Sequence, residues 1–498
     1  MNIKKINTSV LGLALGPIAF ITILFDGIIL LDIGPRVVLA LIAWMVVWWI
    51  TNAIPLYATA LLPLVVLPAS NVMQIGSVAV NYADRVVFLL LGSLILARAI
   101  EVVGLHKRFA LRILMLLGND SKSIIGGFIL VTAILSAFMS NTVVAAMMIP
   151  LALSIISVMD EGYRRRIAPA LMIVIAYSSS IGGVITLVGT PPNLIFASIA
   201  GRMGYDVTFL SWLPIGLPVG SILLLVLWLY LLYFHKLKDV KVIESKDVVI
   251  SEASKIGRIS KKEKAVLVVF IATVAAWISR SAWGPYLPSV DDAVIAVSAA
   301  LSLFAIRVKD VDYDDGSIGK GNVGKRDGKS VTGDVEDRAR VVRLLTWDDA
   351  SRIQWGVLVL IGGSLAIAGA FTATGLDKIV ASSLVLDMDN SYMLLLITTV
   401  TVFLTELMSN TAIATLMLPI VSSVAESIGI EPLQLMLAST LAATLSFMLP
   451  VATPPNAMAF ASGYLTVGYM VRMGFIMNLF SIAVITVLVY IIAPLVRF

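Results

Sequence analysis

The chain has 498 residues, 59% of them hydrophobic and 13% charged, with a formal net charge of +5 and no cysteine. A soluble domain carries about twice that charged fraction, so a water-soluble globule is excluded, and without thiols so are disulfides, thiolate metal sites and cysteine chemistry. Apolar runs long enough to cross a hydrocarbon core of roughly 30 Å recur from residue 9 to residue 496, which predicts an all-α polytopic membrane protein.

Lys4 and Lys5 precede a first apolar run that extends beyond a signal-peptide core and meets no cleavage site, so it is read as a retained span. About 11 transmembrane helices are predicted, beginning near residues 9, 36, 55, 86, 167, 213, 265, 291, 354, 433 and 473. Between the fourth and fifth, Ile124 to Phe138 reaches only about 22 Å as a helix, too short to cross. Ser140-Asn141-Thr142 follows, then a second short run to Met159, with basic residues on both flanks. This predicts a re-entrant helical hairpin near 122–159. Ser391 to Ala425, around Ser409-Asn410-Thr411 and flanked by Asp387, Asp389, Glu426 and Glu431, predicts a second near 391–425, dipping in from the opposite face.

Residues 1–234 are thus expected to form a first repeat, 235–264 a cytoplasmic linker, and 265–498 a second repeat of inverted topology. Within the latter, 307–352 is rich in Gly, Asp, Lys and Arg and is expected to be a mobile cytoplasmic loop. Under this topology most Lys and Arg fall on one face, and only Arg36, Arg85, Arg202, Arg280, Lys378 and Arg497 on the other. The excess of basic residues on cytoplasmic loops then places the N-terminus inside and the C-terminus outside. Those loops give no reason to expect a nucleic-acid partner. His106 and His235 are both expected to be solvated loop residues.

The triplets recur 269 residues apart, at Ser140 and Ser409, and each is followed by a second polar break. Thr190-Pro191-Pro192-Asn193 and Thr453-Pro454-Pro455-Asn456 lie 263 residues apart. A third pair, Gly92-Ser93-Leu94 and Gly363-Ser364-Leu365, is offset by 271, and its glycines are read as close helix packing. Interrupted hydrophobic segments at matching places in two halves point to a transporter's binding site. Irregular backbone is tolerated at membrane depth only where it is buried in protein or lines a cavity. A hairpin tip exposes the first amide donors of its second helix, which favour an anion. The proline pairs remove N–H groups, leaving the carbonyls of Leu187, Val188, Pro450 and Val451 without helical partners, as a hard monovalent cation requires. Asn193 and Asn456 are expected to cap the resumed helices or to face substrate.

No Lys or Arg occurs in 124–159, 167–201, 391–425 or 431–470. An anionic cargo would therefore be neutralised by helix N-termini and co-bound cations, which favours cation-coupled symport. Glu406, Arg98 and Glu101 are intramembrane charges and functional candidates by default, although Arg98 and Glu101, three apart, are expected to pair with each other. An intramembrane protease would need paired aspartates, a serine with a base, or histidine ligands at depth; the sequence offers none, so no enzyme is expected.

The stretches Leu135-Ser-Ala-Phe-Met-Ser-Asn-Thr, Val188-Gly-Thr-Pro-Pro-Asn, Leu404-Thr-Glu-Leu-Met-Ser-Asn-Thr and Val451-Ala-Thr-Pro-Pro-Asn resemble the divalent anion/sodium symporter family, carriers of dicarboxylates, citrate or sulfate. The resemblance implies a homodimer in the plasma membrane working as an elevator. It implies one sodium at Ser136, Ser140 and Asn141 with the carbonyl of Gly189, and a second at Thr405, Ser409 and Asn410 with the carbonyl of Ala452. Substrate carboxylates would meet Asn141, Thr142, Asn410 and Thr411, with Thr190, Pro191, Thr453 and Pro454 closing the site. It implies Na⁺ as coupling ion and no further cofactor. Some members are sodium-independent exchangers with basic side chains at the cation positions; Ser136 and Thr405 keep hydroxyls here. The expected function is Na⁺-coupled import of C4-dicarboxylates such as succinate, malate or fumarate. A sulfate or citrate symporter and a Na⁺-independent anion exchanger are the alternatives.

Overall fold

A computed structural model describes residues 8–26, 31–116, 120–235, 245–310, 340–383 and 389–496. Regular structure there is helical apart from one two-stranded ladder, as expected where no water satisfies the backbone. Eight helices are long and apolar enough to cross a membrane, and the pair Ile75–Val102 and Leu105–Leu116, bent by 68°, adds a ninth if taken as one span. Seven of the eight coincide with expected spans; the other, Asn410–Ile428, is the second arm of the second hairpin. The spans expected near 55, 291 and 433 are short or broken, at Leu56–Thr59 with Leu62–Ala69, at Asp292–Ala305 and at Pro432–Thr444.

Both hairpins form. The first pairs Ser121–Ser136 with Asn141–Ser157, and the second pairs Asn390–Leu404 with Asn410–Ile428. Each turns at its Ser-Asn pair, and the Asn opens the second arm. Two broken helices carry the proline pairs: Glu161–Ile185 resumes at Pro191–Arg202, and Pro432–Thr444 resumes at Pro454–Ala461. Pro191 and Pro454 stand at the first helical position, where a missing N–H costs nothing.

Glu161–Ile185 is the deepest helix, its spanning window 94% buried. It packs on both arms of the first hairpin, on Phe209–Phe234 and on Pro454–Ala461, while Pro191–Arg202 packs on the second hairpin. The Tyr177 hydroxyl donates to the carbonyl of Phe447 at 2.7 Å, joining the first broken helix to the second break. A second, smaller apolar cluster gathers Val38, Leu41, Met45, Leu67, Ile367 and Phe371 from the flanking helices. The expected glycine packing is present: a Cβ on Gly92 would lie 2.4 Å from the backbone of Ala296, and one on Gly363 2.2 Å from the carbonyl oxygen of Ala60.

Four sequence expectations need correction or trimming. His106 is buried in Leu105–Leu116 with Nδ1 3.1 Å from the carbonyl of Ile100, and His235 Nε2 lies 2.6 Å from the Tyr469 hydroxyl. Neither is a freely solvated loop residue, because helix continues through one loop and docks against the other. The expected loop 307–352 is shorter than its composition suggests. Arg307–Asp310 and Arg340–Arg343 pair antiparallel, Leu344 and Leu345 are buried, and Trp347–Ala350 is helical under a Thr346 capping box. Only 311–339 lie outside the described residues. Within 235–264, residues 236–244 lie outside them as well, while Ser245–Ile256 is a helix packed on Leu105–Leu116. Arg108 pins that region, with Nε 2.6 Å from Glu263 Oε1 and Nη1 donating to the carbonyl of Gly257. Lys4, Lys5, Asp387 and Arg497 also lie outside the described residues.

Candidate functional site

The repeated motifs fold into matched hydrogen-bond patterns. In the first half the Ser136 hydroxyl lies 2.7 Å from Asn141 Oδ1 and 2.7 Å from the carbonyl of Ser179. In the second, the Thr405 hydroxyl lies 3.0 Å from Asn410 Oδ1 and 2.7 Å from the carbonyl of Ala443. Each hydroxyl is fully buried beneath its hairpin tip and ties the tip to the broken helix behind it. Asn193 Nδ2 donates to the carbonyls of Gly183 (3.2 Å) and Thr186 (2.9 Å). Asn456 Nδ2 donates to those of Ser446 (3.2 Å) and Leu449 (3.1 Å). Both asparagines are fully buried. Their side chains therefore neither cap the resumed helices nor face a ligand. They reach back to carbonyls at and just before each break, upstream of the four that the proline pairs strand.

Between the tips and the breaks lies a cavity of about 560 Å³. Its walls include Ser140, Asn141, Thr142, Ser409, Asn410 and Thr411 from the tips. From the breaks come Gly189, Thr190, Pro191, Ala452, Thr453 and Pro454. Of the residues that the resemblance assigns to substrate or sodium, Ser136 and Thr405 stand behind the wall, against Asn141 and Asn410. Trp49, Asn52, Tyr57 and Gln354 line the cavity too and were missed. A weak signal existed for Asn52 alone, which stands three residues before Pro55 inside an apolar run; in the structure it ends Ile33–Thr51 in a left-handed conformation (φ 49°).

Among the described residues no charged side chain lines this cavity. Four helices begin at it, at Asn141, Asn410, Pro191 and Pro454. Ser140, Ser409 and Thr190 make no side-chain cap, whereas Thr453 accepts from the N–H of Asn456. Uncapped first-turn N–H groups and aligned dipoles make an anion-attracting surface. The oxygens beneath suit a cation. A Cβ on Gly183 would lie 2.8 Å from Asn141 Oδ1 and 3.3 Å from the carbonyl oxygen of Gly189, so these oxygens face one cradle that only glycine leaves open. In the second half Ser446 takes that place, its hydroxyl 3.4 Å from Asn410 Oδ1. Asn193 Oδ1 and Asn456 Oδ1 are buried without hydrogen-bond partners.

Arg98 pairs with Glu101 at 2.7 Å, as expected, and Arg98 Nε reaches the carbonyl of Asp349. Gln354 Nε2 lies 3.2 Å from the Ser140 hydroxyl, joining the first tip to the start of Trp355–Ala373.

Comparison with known proteins bears on this arrangement. The family described as "Sodium:sulfate symporter transmembrane region" matches residues 10–496. The sodium-dependent dicarboxylate transporter SdcS of Staphylococcus saprophyticus is 36% identical, covering 99% of this chain and 93% of the relative. SdcS of Staphylococcus aureus strain USA300 is 34% identical, covering 98% and 91%. Among solved structures, the Neisseria gonorrhoeae antimetabolite efflux pump MtrF aligns with a TM-score of 0.53 at 12% identity over 84% of each chain, a likeness of fold alone.

Proposed function

The chain belongs to the sodium:sulfate symporter family, and from that premise we propose that it imports a C4-dicarboxylate such as succinate, malate or fumarate together with Na⁺. Family membership makes it a multi-pass integral membrane transporter and not an enzyme. The carrying observation is one cavity, without a charged wall, at which both Ser-Asn-Thr tips and both Thr-Pro-Pro-Asn breaks meet. Four helix N-termini favour a dianion, yet no cationic side chain neutralises it. Co-bound Na⁺ supplies the missing charge.

In this reading Asn141, Thr142, Asn410 and Thr411 take the two carboxylates, with Thr190, Pro191, Thr453 and Pro454 closing around them. One Na⁺ sits with Ser136, Ser140, Asn141 and the carbonyl of Gly189. The other sits with Thr405, Ser409, Asn410 and the carbonyl of Ala452. The ion lies beneath the substrate and shares the asparagine, so binding of either favours the other. Residues 1–234 and 265–498 act as inverted repeats, and 235–264 joins them. The two hairpins and broken helices move together as an elevator against the remaining helices, in a homodimer of the plasma membrane. The N-terminus is cytoplasmic and the C-terminus outside. Charge pairing supports this topology: Arg85, Arg202 and Arg280, assigned to the outer face, gather around Asp84 and Asp206, while Arg108 and Glu263 pair on the other face.

The test is uptake of labelled succinate into proteoliposomes under an inward Na⁺ gradient, with K⁺ replacing Na⁺ as the control and malate, citrate and sulfate as competitors. Uptake that requires Na⁺ and is competed by malate is the expected result. Uptake that ignores Na⁺ but needs internal dicarboxylate would make the protein an exchanger. Flux of sulfate without succinate would keep the coupling and replace the substrate.

A further inference from the structure

The second break is held by a carboxylate that the first break lacks. Glu406 follows Thr405 at the second tip and is 4% exposed. Its Oε1 accepts from the N–H of Phe447 (2.6 Å), the N–H of Met448 (2.9 Å) and the Nδ2 of Asn478 (2.8 Å); its Oε2 accepts from the N–H of Leu449 (3.1 Å). Every one of these contacts brings a donor, the surroundings of an acceptor-only, ionised carboxylate. The three N–H groups belong to the unwound stretch just beyond Pro432–Thr444. By gathering them, Glu406 sets the course of the chain that brings the Ser446 hydroxyl to Asn410 and the Ser446 carbonyl to Asn456.

The corresponding position 269 residues earlier is Ala137. There the Thr186 hydroxyl donates to the carbonyl of Ala137, a neutral contact performing the same closure. The matched sites thus differ by one buried negative charge, besides the Ser446 hydroxyl that stands where the first site has Gly183. The groups that bond Glu406 carry dipoles and no formal positive charge. A buried carboxylate held by dipoles alone leaves a negative potential in its low-dielectric surroundings.

Building on the sodium-symport reading, we propose that Glu406 is the positioning residue and fixed counter-charge of the second cation site, and that the two sites are unequal, the second binding Na⁺ more tightly. The neutral first site would then depend more heavily on the substrate's charge.

Binding of ²²Na⁺ to the purified full-length protein tests this apart from transport. Asn141→Ala removes the first site, so residual binding reports the second. In that background Glu406→Gln is expected to raise half-saturating Na⁺ by about tenfold or more, with Glu406→Asp in between. In an Asn410→Ala background the same Glu406→Gln change is expected to leave binding at the first site unaltered. Equal Na⁺ affinity with Glu or Gln at 406 would overturn the proposal. Should Glu406→Gln misfold, Asn478→Leu retains the carboxylate and removes one neutralising dipole. A counter-charge predicts about two- to threefold tighter Na⁺ binding there, and an unchanged or weaker affinity would overturn it. Wild-type protein that binds no ²²Na⁺ and takes up substrate equally well in K⁺ would refute the symport reading itself. Two Na⁺ sites indifferent to Glu406→Gln would refute only this inference.

Discussion

Asn141 and Asn410 each bond the buried hydroxyl beneath their tip, Ser136 and Thr405, and also form cavity wall. Their amides therefore connect the cation oxygens to the substrate surface. Replacing either with Ala is predicted to lower uptake by at least about tenfold through loss of both contacts, checked by initial rates in proteoliposomes. Gly183 gives a finer probe, since a methyl there would meet Asn141 Oδ1 at 2.8 Å and narrow the cradle. Gly183→Ala is predicted to raise half-saturating Na⁺ by about tenfold while the protein still purifies as a folded species. The tip and break residues were legible because they repeat in order. Trp49, Tyr57 and Gln354 were not, since they lie outside both motifs and reach the cavity only by tertiary packing. Asn193 and Asn456 were legible as important but assigned the wrong partner: they bond carbonyls of their own broken helices, contacts that only the folded break creates.

Helix packing sets the second level. Gly92 lets Arg85–Val102 approach Asp292–Ala305 until a Cβ would lie 2.4 Å from the Ala296 backbone. Gly92→Val is predicted to destabilise by about 1–3 kcal/mol through overpacking, read as a lowered Tm in detergent. Gly76→Ala, with nothing within 4 Å, serves as the control. At the end of Phe209–Phe234, burial pushes His235 from the usual 6.5 down to about 4. The folded state thus favours the neutral ring. That stabilisation is complete above about pH 6.5 and is lost as pH falls towards 4. Tm should fall over this window in the wild type and less steeply in His235→Phe. Hairpin arms were readable from the length of their apolar runs. The helical part of the linker was not, because Ser245–Ile256 is polar enough to pass for loop and is ordered by contact with Leu105–Leu116.

For the whole molecule, the cavity takes its walls from both halves, and Tyr177 of the first broken helix bonds to Phe447 in the second break. The repeat let the two tips be expected at one substrate, whereas the side chains outside the motifs that complete the cavity are a property of packing. The ladder pairing Asp310 with Arg340 brings the ends of 311–339 together. Replacing those residues with Asn-Gly, which suits a two-residue hairpin, is predicted to leave succinate uptake within about twofold of wild type. Whether the dianion and Na⁺ neutralise each other in one cavity is read from the equilibrium affinity of the purified protein for labelled succinate in Na⁺ and in K⁺. Mutual neutralisation makes succinate bind about a hundredfold more tightly in Na⁺, and succinate strengthens Na⁺ binding by the same factor, as linkage requires. Equal succinate affinity in the two salts would contradict it.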